Sequence, residues 1–160
     1  MPASCSFKLN GQSTSALICN GFGSVPAFSG MTPHKDDPGA VGLANVGPLP
    51  QGRYYIIDRQ RGGRLGPLRE WIQDAVTGVD RSEWFTLYRV DDVIDDYTFV
   101  NGVKRGNFRL HPNGRFGISE GCITVLSLEN FERLRDFLLK QSSGFISGTT
   151  IKYYGTVDVQ

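Results

Sequence analysis

Apolar and polar residues alternate over short stretches along most of this chain, the period-two pattern of half-buried strands. Residues 5 to 9 and 14 to 19 predict an N-terminal hairpin that turns through Leu9-Asn10-Gly11-Gln12. Arg53-Tyr54-Tyr55-Ile56-Ile57-Asp58 is rich in aromatic and β-branched residues and predicts a strand. Trp84 to Val90 alternates in the same way. Tyr97 to Val100 and Asn107 to Leu110 predict two more strands, with Asn101-Gly102 as the turn between them, and Thr149 to Val157 a closing strand. Two stretches follow the helical period instead. After Pro67, the residues Leu68, Trp71, Ile72 and Ala75 suit a helix within Gly66 to Thr77. The stronger one is Ser127 to Lys140, with Ser127 as N-cap, Asn130 at the capping-box position, and Leu128, Phe131, Leu134, Phe137 and Leu138 as its apolar face.

The predicted fold is therefore mostly β with one or two helices, in a single domain spanning residues 1–160. The chain holds 20 Gly and 8 Pro, so it turns often. Those residues concentrate between Gly21 and Gly52, where Ala27-Phe28-Ser29-Gly30 and Gly47-Pro48-Leu49-Pro50-Gln51-Gly52 flank a stretch too rich in apolar residues for disorder. This segment reads as an ordered wrap around a cleft. Net charge is +1, so no strong field steers the chain to nucleic acid or to an anionic membrane. The cluster Arg59-Gln60-Arg61-Gly62-Gly63-Arg64 reads as a solvated loop. No apolar run reaches the ~20 residues of a membrane span, and Met1-Pro2-Ala3-Ser4-Cys5-Ser6 lacks the basic and apolar regions of a Sec signal.

Three cysteines leave an odd thiol. Cys5 and Cys19 flank the first turn, and are either a cross-strand disulfide or two buried small hydrophobes. Cys122 lies in Leu110-His111-Pro112-Asn113-Gly114-Arg115-Phe116-Gly117-Ile118-Ser119-Glu120-Gly121-Cys122-Ile123-Thr124-Val125. A thiol is mostly protonated at neutral pH, and its thiolate is the nucleophile. An imidazole within hydrogen-bond reach can take that proton. His111 ends one apolar run and Cys122 opens another, so neighbouring strand ends can bring base and nucleophile together. Gly121 would let a bound carbonyl approach the backbone, and N–H groups near Gly121 and Cys122 can form an oxyanion hole. His34, beside Asp36 and Asp37, has no second His or Cys at ligand spacing, and no metal or other cofactor is expected.

His111, a short loop and Ser119-Glu120-Gly121-Cys122 resemble the His…Ser-x-Gly-Cys signature of L,D-transpeptidase catalytic domains, and more closely that of the L,D-transpeptidase effectors of type VI secretion systems. Ala27-Phe28-Ser29-Gly30 and Gly47-Pro48-Leu49-Pro50-Gln51-Gly52-Arg53-Tyr54 resemble two further motifs of that effector family, in the same order. Glu120 stands where the broader signature has a second His, and Thr124 replaces its usual polar or Arg residue. The resemblance implies an L,D-transpeptidase-like β-sandwich or barrel with the Gly/Pro-rich loop around its cleft. It also implies delivery without a Sec signal, a periplasmic target and a cognate immunity protein. The implied chemistry is removal or exchange of the terminal D-Ala of tetrapeptide stems. In that scheme Cys122 attacks, His111 is the base, Gly121 shapes the oxyanion site, and Ser119 orients His111 or binds substrate. Arg115, Glu120, Phe28 and Ser29 are candidates for the substrate cleft. Two other readings stand beside it: a cysteine amidase or endopeptidase cutting another peptidoglycan bond, and a non-catalytic wall-binding module.

Overall fold

The computed structural model describes residues 1–58, 84–91, 94–113 and 121–160. The predicted helix in 66–77, the arginine cluster 59–64, Arg115, Ser119 and Glu120 lie outside the described residues.

Eight strands close into a barrel: β1 (Ala3–Phe7), β2 (Ser15–Cys19), β3 (Gly23–Phe28), β4 (Gly52–Asp58), β5 (Phe85–Arg89), β8 (Arg109–Pro112), β9 (Ile123–Val125) and β12 (Gly155–Val159). Around the wall they run β1-β12-β4-β5-β8-β9-β3-β2 and back to β1. Closure satisfies the backbone donors and acceptors that an open sheet would leave at its edges. Two pairings are parallel, β1 with β12 and β8 with β9; the rest are antiparallel. Hairpin β6 (Tyr97–Val100) with β7 (Val103–Gly106) and the short pair β10 (Gly144–Phe145) with β11 (Lys152–Tyr153) lie outside the wall.

Alternation sorts the barrel strands into two faces. Cys5, Phe7, Leu17, Val25, Tyr54, Ile56, Phe85, Leu87, Leu110, Ile123, Val125 and Val157 share one buried apolar cluster inside the barrel. The helix α1 (Leu128–Lys140) adds Phe131, Leu134 and Leu138 to that cluster, and the Phe131 ring meets Phe85 at 6.4 Å. Ser127 caps α1 as its sequence predicts, its hydroxyl accepting the Asn130 N–H.

Cys5 and Cys19 face each other across β1 and β2 and are joined by a disulfide, with Cα atoms 4.0 Å apart. Of the two readings open in the sequence, the bridge is the one formed. Three predicted elements differ. Gly23–Phe28 is a barrel strand rather than part of the loop; its glycine and proline had masked the inward alternation of Val25 and Ala27. The turn Asn101-Gly102 joins β6 to β7, not to Asn107–Leu110. Asn107 itself takes a left-handed φ of 59°, which breaks the chain before β8. The closing strand starts later, at Gly155, and runs to Val159.

Candidate functional site

The parallel pair β8–β9 sets the geometry of the predicted dyad. Leu110 pairs with Ile123, His111 with Thr124 and Pro112 with Val125. Leu110, Ile123 and Val125 point into the barrel, so His111, Thr124 and, one alternation earlier, Arg109 and Cys122 point out. His111 and Cys122 are diagonal neighbours on this outer face. Diagonal Cβ atoms lie roughly 7–8 Å apart, within reach of longer side chains. The row continues on both sides. Phe28 pairs with Thr124 from β3, and one step beyond the Phe85–Leu110 pair Trp84 lies opposite His111. This face is not exposed: His111 is 4% and Cys122 2% accessible, and Phe28 and Trp84 are equally covered.

His111 is fixed on two sides. Its Nδ1 lies 2.7 Å from the Pro112 carbonyl oxygen, an acceptor only, so Nδ1 carries the proton and Nε2 the lone pair. The Trp84 ring stacks on the imidazole at 4.4 Å and 21°. Burial pulls the His111 pKa down from 6.5 to about 4; the Pro112 hydrogen bond opposes this and the Arg109 charge adds to it. The ring is therefore neutral at physiological pH. Thr124 Oγ1 sits 3.4 Å from Nε2, long for a hydrogen bond, so the lone pair is not saturated.

The surroundings of Cys122 are cationic. Its Sγ lies 3.9 Å from the Asn107 carbonyl oxygen. A negative charge on the sulfur would favour the charged form of both Arg105 and Arg109. Arg109 is buried and makes a bidentate pair with Asp96, both contacts at 2.8 Å. Arg105 is also buried, and among the described residues its guanidinium donates to the carbonyls of Val41, of Pro48 at 3.1 Å and of Gly47 at 2.9 Å. Gly121 has φ 88°, a left-handed conformation that suits glycine. A Cβ there would lie 2.6 Å from Arg105 Nη2 and 3.1 Å from the Phe108 ring. The space that sequence reasoning reserves for a substrate carbonyl at Gly121 is thus shared with a guanidinium.

The wrap between β3 and β4 is ordered by its own polar groups. Ser29, predicted to line the cleft, is fully buried and commits its hydroxyl to the Leu49 N–H at 2.7 Å, while its own N–H donates to Asp36 Oδ1 at 2.9 Å. It ties the two ends of the loop together. Phe28 lies on the site face with the Lys35 ammonium 4.1 Å over its ring. Burial pushes the Asp36 carboxyl up to about 6 against the Ser29 hydrogen bond and the Lys35 charge, and its Oδ2 has no hydrogen-bond partner among the described residues. A polar pocket of about 260 Å³ opens beside Asn107, lined by Ala44 and Asn45 of the wrap and by Tyr97, Lys104 and Arg105 of the outer hairpin. Among the described residues no cluster of His, Cys, Asp or Glu could hold a metal ion.

Four residues of this site were not singled out in the sequence: Trp84, Arg105, Arg109 and, as a contact of His111, Thr124. A signal existed for Arg109. In Phe108-Arg109-Leu110-His111 the polar residues alternate with apolar ones, so Arg109 shares the face of His111. Arg105 is legible only once the hairpin is correctly paired.

The family model described as the Tlde1 domain matches residues 23–149, which spans β3 through the end of α1 and beyond. No curated protein and no solved structure matches the chain.

Proposed function

Because the chain belongs to the Tlde1 domain family, the type VI secretion effectors of L,D-transpeptidase kind that act on peptidoglycan, we propose that it removes the terminal D-Ala of tetrapeptide stems through a thioester on Cys122. The observation that carries this reading is the neutral His111, whose Nδ1 is held by Pro112 and whose Nε2 lone pair opens on the face it shares with Cys122.

The Cys122 proton passes to His111 Nε2 and the thiolate attacks the carbonyl carbon of diaminopimelate. N–H groups around Gly121 and Cys122 take the developing oxyanion. As the C–N bond breaks, the imidazolium returns its proton to the D-Ala amine, leaving a thioester. Water, deprotonated by His111, resolves it to a tripeptide acid and free Cys122. A D-amino acid amine in place of water gives exchange. Loss of tetrapeptide donors starves cross-linking in the periplasm of the target cell, and the producer is guarded by a cognate immunity protein. In this reading Ser119 orients His111 or binds substrate, and Arg115, Glu120 and Phe28 serve the substrate cleft.

Purified protein with defined tetrapeptide muropeptides tests this directly. Tripeptide products are expected, and D-amino acid-exchanged stems when that amine is added. Cys122→Ala is expected to lower turnover at least about a thousand-fold without loss of the fold. Cleavage at a glycan–peptide or internal cross-link bond instead would establish the amidase or endopeptidase reading. An unaltered muropeptide profile with wild-type protein, together with wall binding, would establish the non-catalytic one.

A further inference from the structure

We infer that Arg105 is the positioning residue that stabilises the Cys122 thiolate as its proton passes to His111, its charge delivered to the nucleophile by the wrap that fixes it. This rests on Cys122 as the nucleophile and goes beyond it to what activates the thiol.

Three observations lead there. First, the guanidinium is pressed against Gly121, the residue before Cys122, so closely that one methyl group at Gly121 would collide with Nη2. Secondly, Arg105 is buried, and among the described residues its partners are backbone carbonyls, with no carboxylate to neutralise it. A buried cation held by carbonyl oxygens acts over short distances with little screening. Among the described residues, the other charged groups facing the sulfur differ. Arg109 of β8 is cancelled by Asp96, which precedes β6, and His111 of β8 is uncharged at neutral pH. Thirdly, the dyad alone is a poor proton acceptor. A ring whose burial keeps it neutral down to about pH 4 gains little from a thiol of ordinary acidity near ~8.5. A cation beside the sulfur lowers that step, as basic neighbours do for other reactive thiols.

The carbonyls of Val41, Gly47 and Pro48 set where the guanidinium sits. Gly47 has no room for a side chain, because a Cβ would fall 2.1 Å from the Ala40 carbonyl oxygen. The Gly-Pro-Leu-Pro segment is thereby a mount for the charge that faces the nucleophile.

With Cys5 and Cys19 bridged, Cys122 is the cysteine outside the disulfide, so its thiol can be titrated in the intact, unreduced chain. The pH profile of carboxamidomethylation by iodoacetamide and the thiolate absorbance near 240 nm are measured for wild type, Arg105→Gln, Arg105→Lys and His111→Ala. Wild type is expected to titrate below a free cysteine peptide. Arg105→Gln should move the midpoint up by about one pH unit or more, roughly a tenfold loss of thiolate near neutrality. Arg105→Lys should restore most of it, and His111→Ala should move it less than Arg105→Gln does. A wild-type midpoint at or above that of the free peptide overturns the inference, and so does an Arg105→Gln profile that superimposes on wild type. A depression that vanishes in His111→Ala assigns it to an imidazolium and overturns it equally. If circular dichroism shows Arg105→Gln unfolded, Arg105→Lys decides: a midpoint near wild type sustains the inference, and one at the free-peptide value ends it. None of these readings uses peptidoglycan, so a chain that leaves tetrapeptides intact yet shows the Arg105 effect would sink the proposed reaction alone.

Discussion

The barrel contains two parallel strand pairs on opposite sides of its wall, and each carries cysteine chemistry of a different kind. At β1–β12, Cys5 points inward among Phe7, Leu17 and Val157 and is bridged to Cys19. At β8–β9, Cys122 points outward, next to two guanidinium groups and an imidazole. The three sulfurs are almost equally buried, at 4%, 1% and 2% exposure. Burial therefore does not decide what a cysteine does here. The face of the strand does, because the inner face offers hydrocarbon and the outer face offers polar groups that a charged sulfur can use.

The comparison can be broken by moving groups at each pair. The largest effect is expected at the outer one. Gly121→Ala imposes a left-handed conformation worth about 1–2 kcal/mol on a residue with a side chain, and drives its methyl into Arg105 and Phe108. Peptide turnover should fall by about a hundredfold or more while the far-UV spectrum of the barrel persists; retained turnover would mean that this turn is not part of the site. At the inner pair the reverse is expected. Replacing both Cys5 and Cys19 by Ser opens a loop of sequence separation 14, for which chain entropy suggests a loss of about 3 kcal/mol. Denaturant titration should show that loss, with activity per folded molecule unchanged.

A pH series separates the pairs without mutating the sulfurs. His111 is held neutral in the fold, with its pKa lowered from 6.5 to about 4. The unfolded chain then binds the extra proton first, so stability is intact above pH 6.5 and declines as pH falls toward 4. The loss approaches about 3 kcal/mol. His111→Gln should flatten that slope in urea titrations at pH 7, 5.5 and 4.5. The smallest effect concerns the wrap. Asp36, with its carboxyl raised to about 6, works against the fold once ionised, so its penalty appears as pH rises through 6. Asp36→Asn keeps an acceptor for the Ser29 N–H and tolerates φ 55°. It should raise the melting temperature by a few degrees at pH 8 and by little at pH 4.5.

What could be read from the sequence follows the same division of faces. The inward residues announce themselves, because Leu87, Leu110 and Val157 alternate with more polar neighbours and one period suffices to find them. Helix α1 was legible from Ser127 onward for the same reason. His111 and Cys122 stand out in the sequence as candidates through their motif, and the β8–β9 register puts them on one face. Arg105 was not, since an arginine on a short hairpin looks like any solvated residue until the wrap, some 60 positions earlier, is folded onto it. Trp84 read as the first residue of a strand; that it stacks on His111 depends on a pairing between β5 and β8 that no local pattern specifies. Proline and glycine concealed β3, although its Val25 and Ala27 do pack inward.

The first strand of the barrel is hydrogen-bonded along its length to the last, with Ala3 opposite Gly155 and Phe7 opposite Val159. The wall therefore cannot close while the ribosome still holds the final strand, and β8 and β9 belong to that same closed ring. So distant a pairing is paid for in loop entropy before it is rewarded, which makes assembly late and cooperative. A nascent or truncated chain that lacks β12 has no completed barrel on which to mount the outer face of β8 and β9, so the geometry of that face depends on β12 having been made.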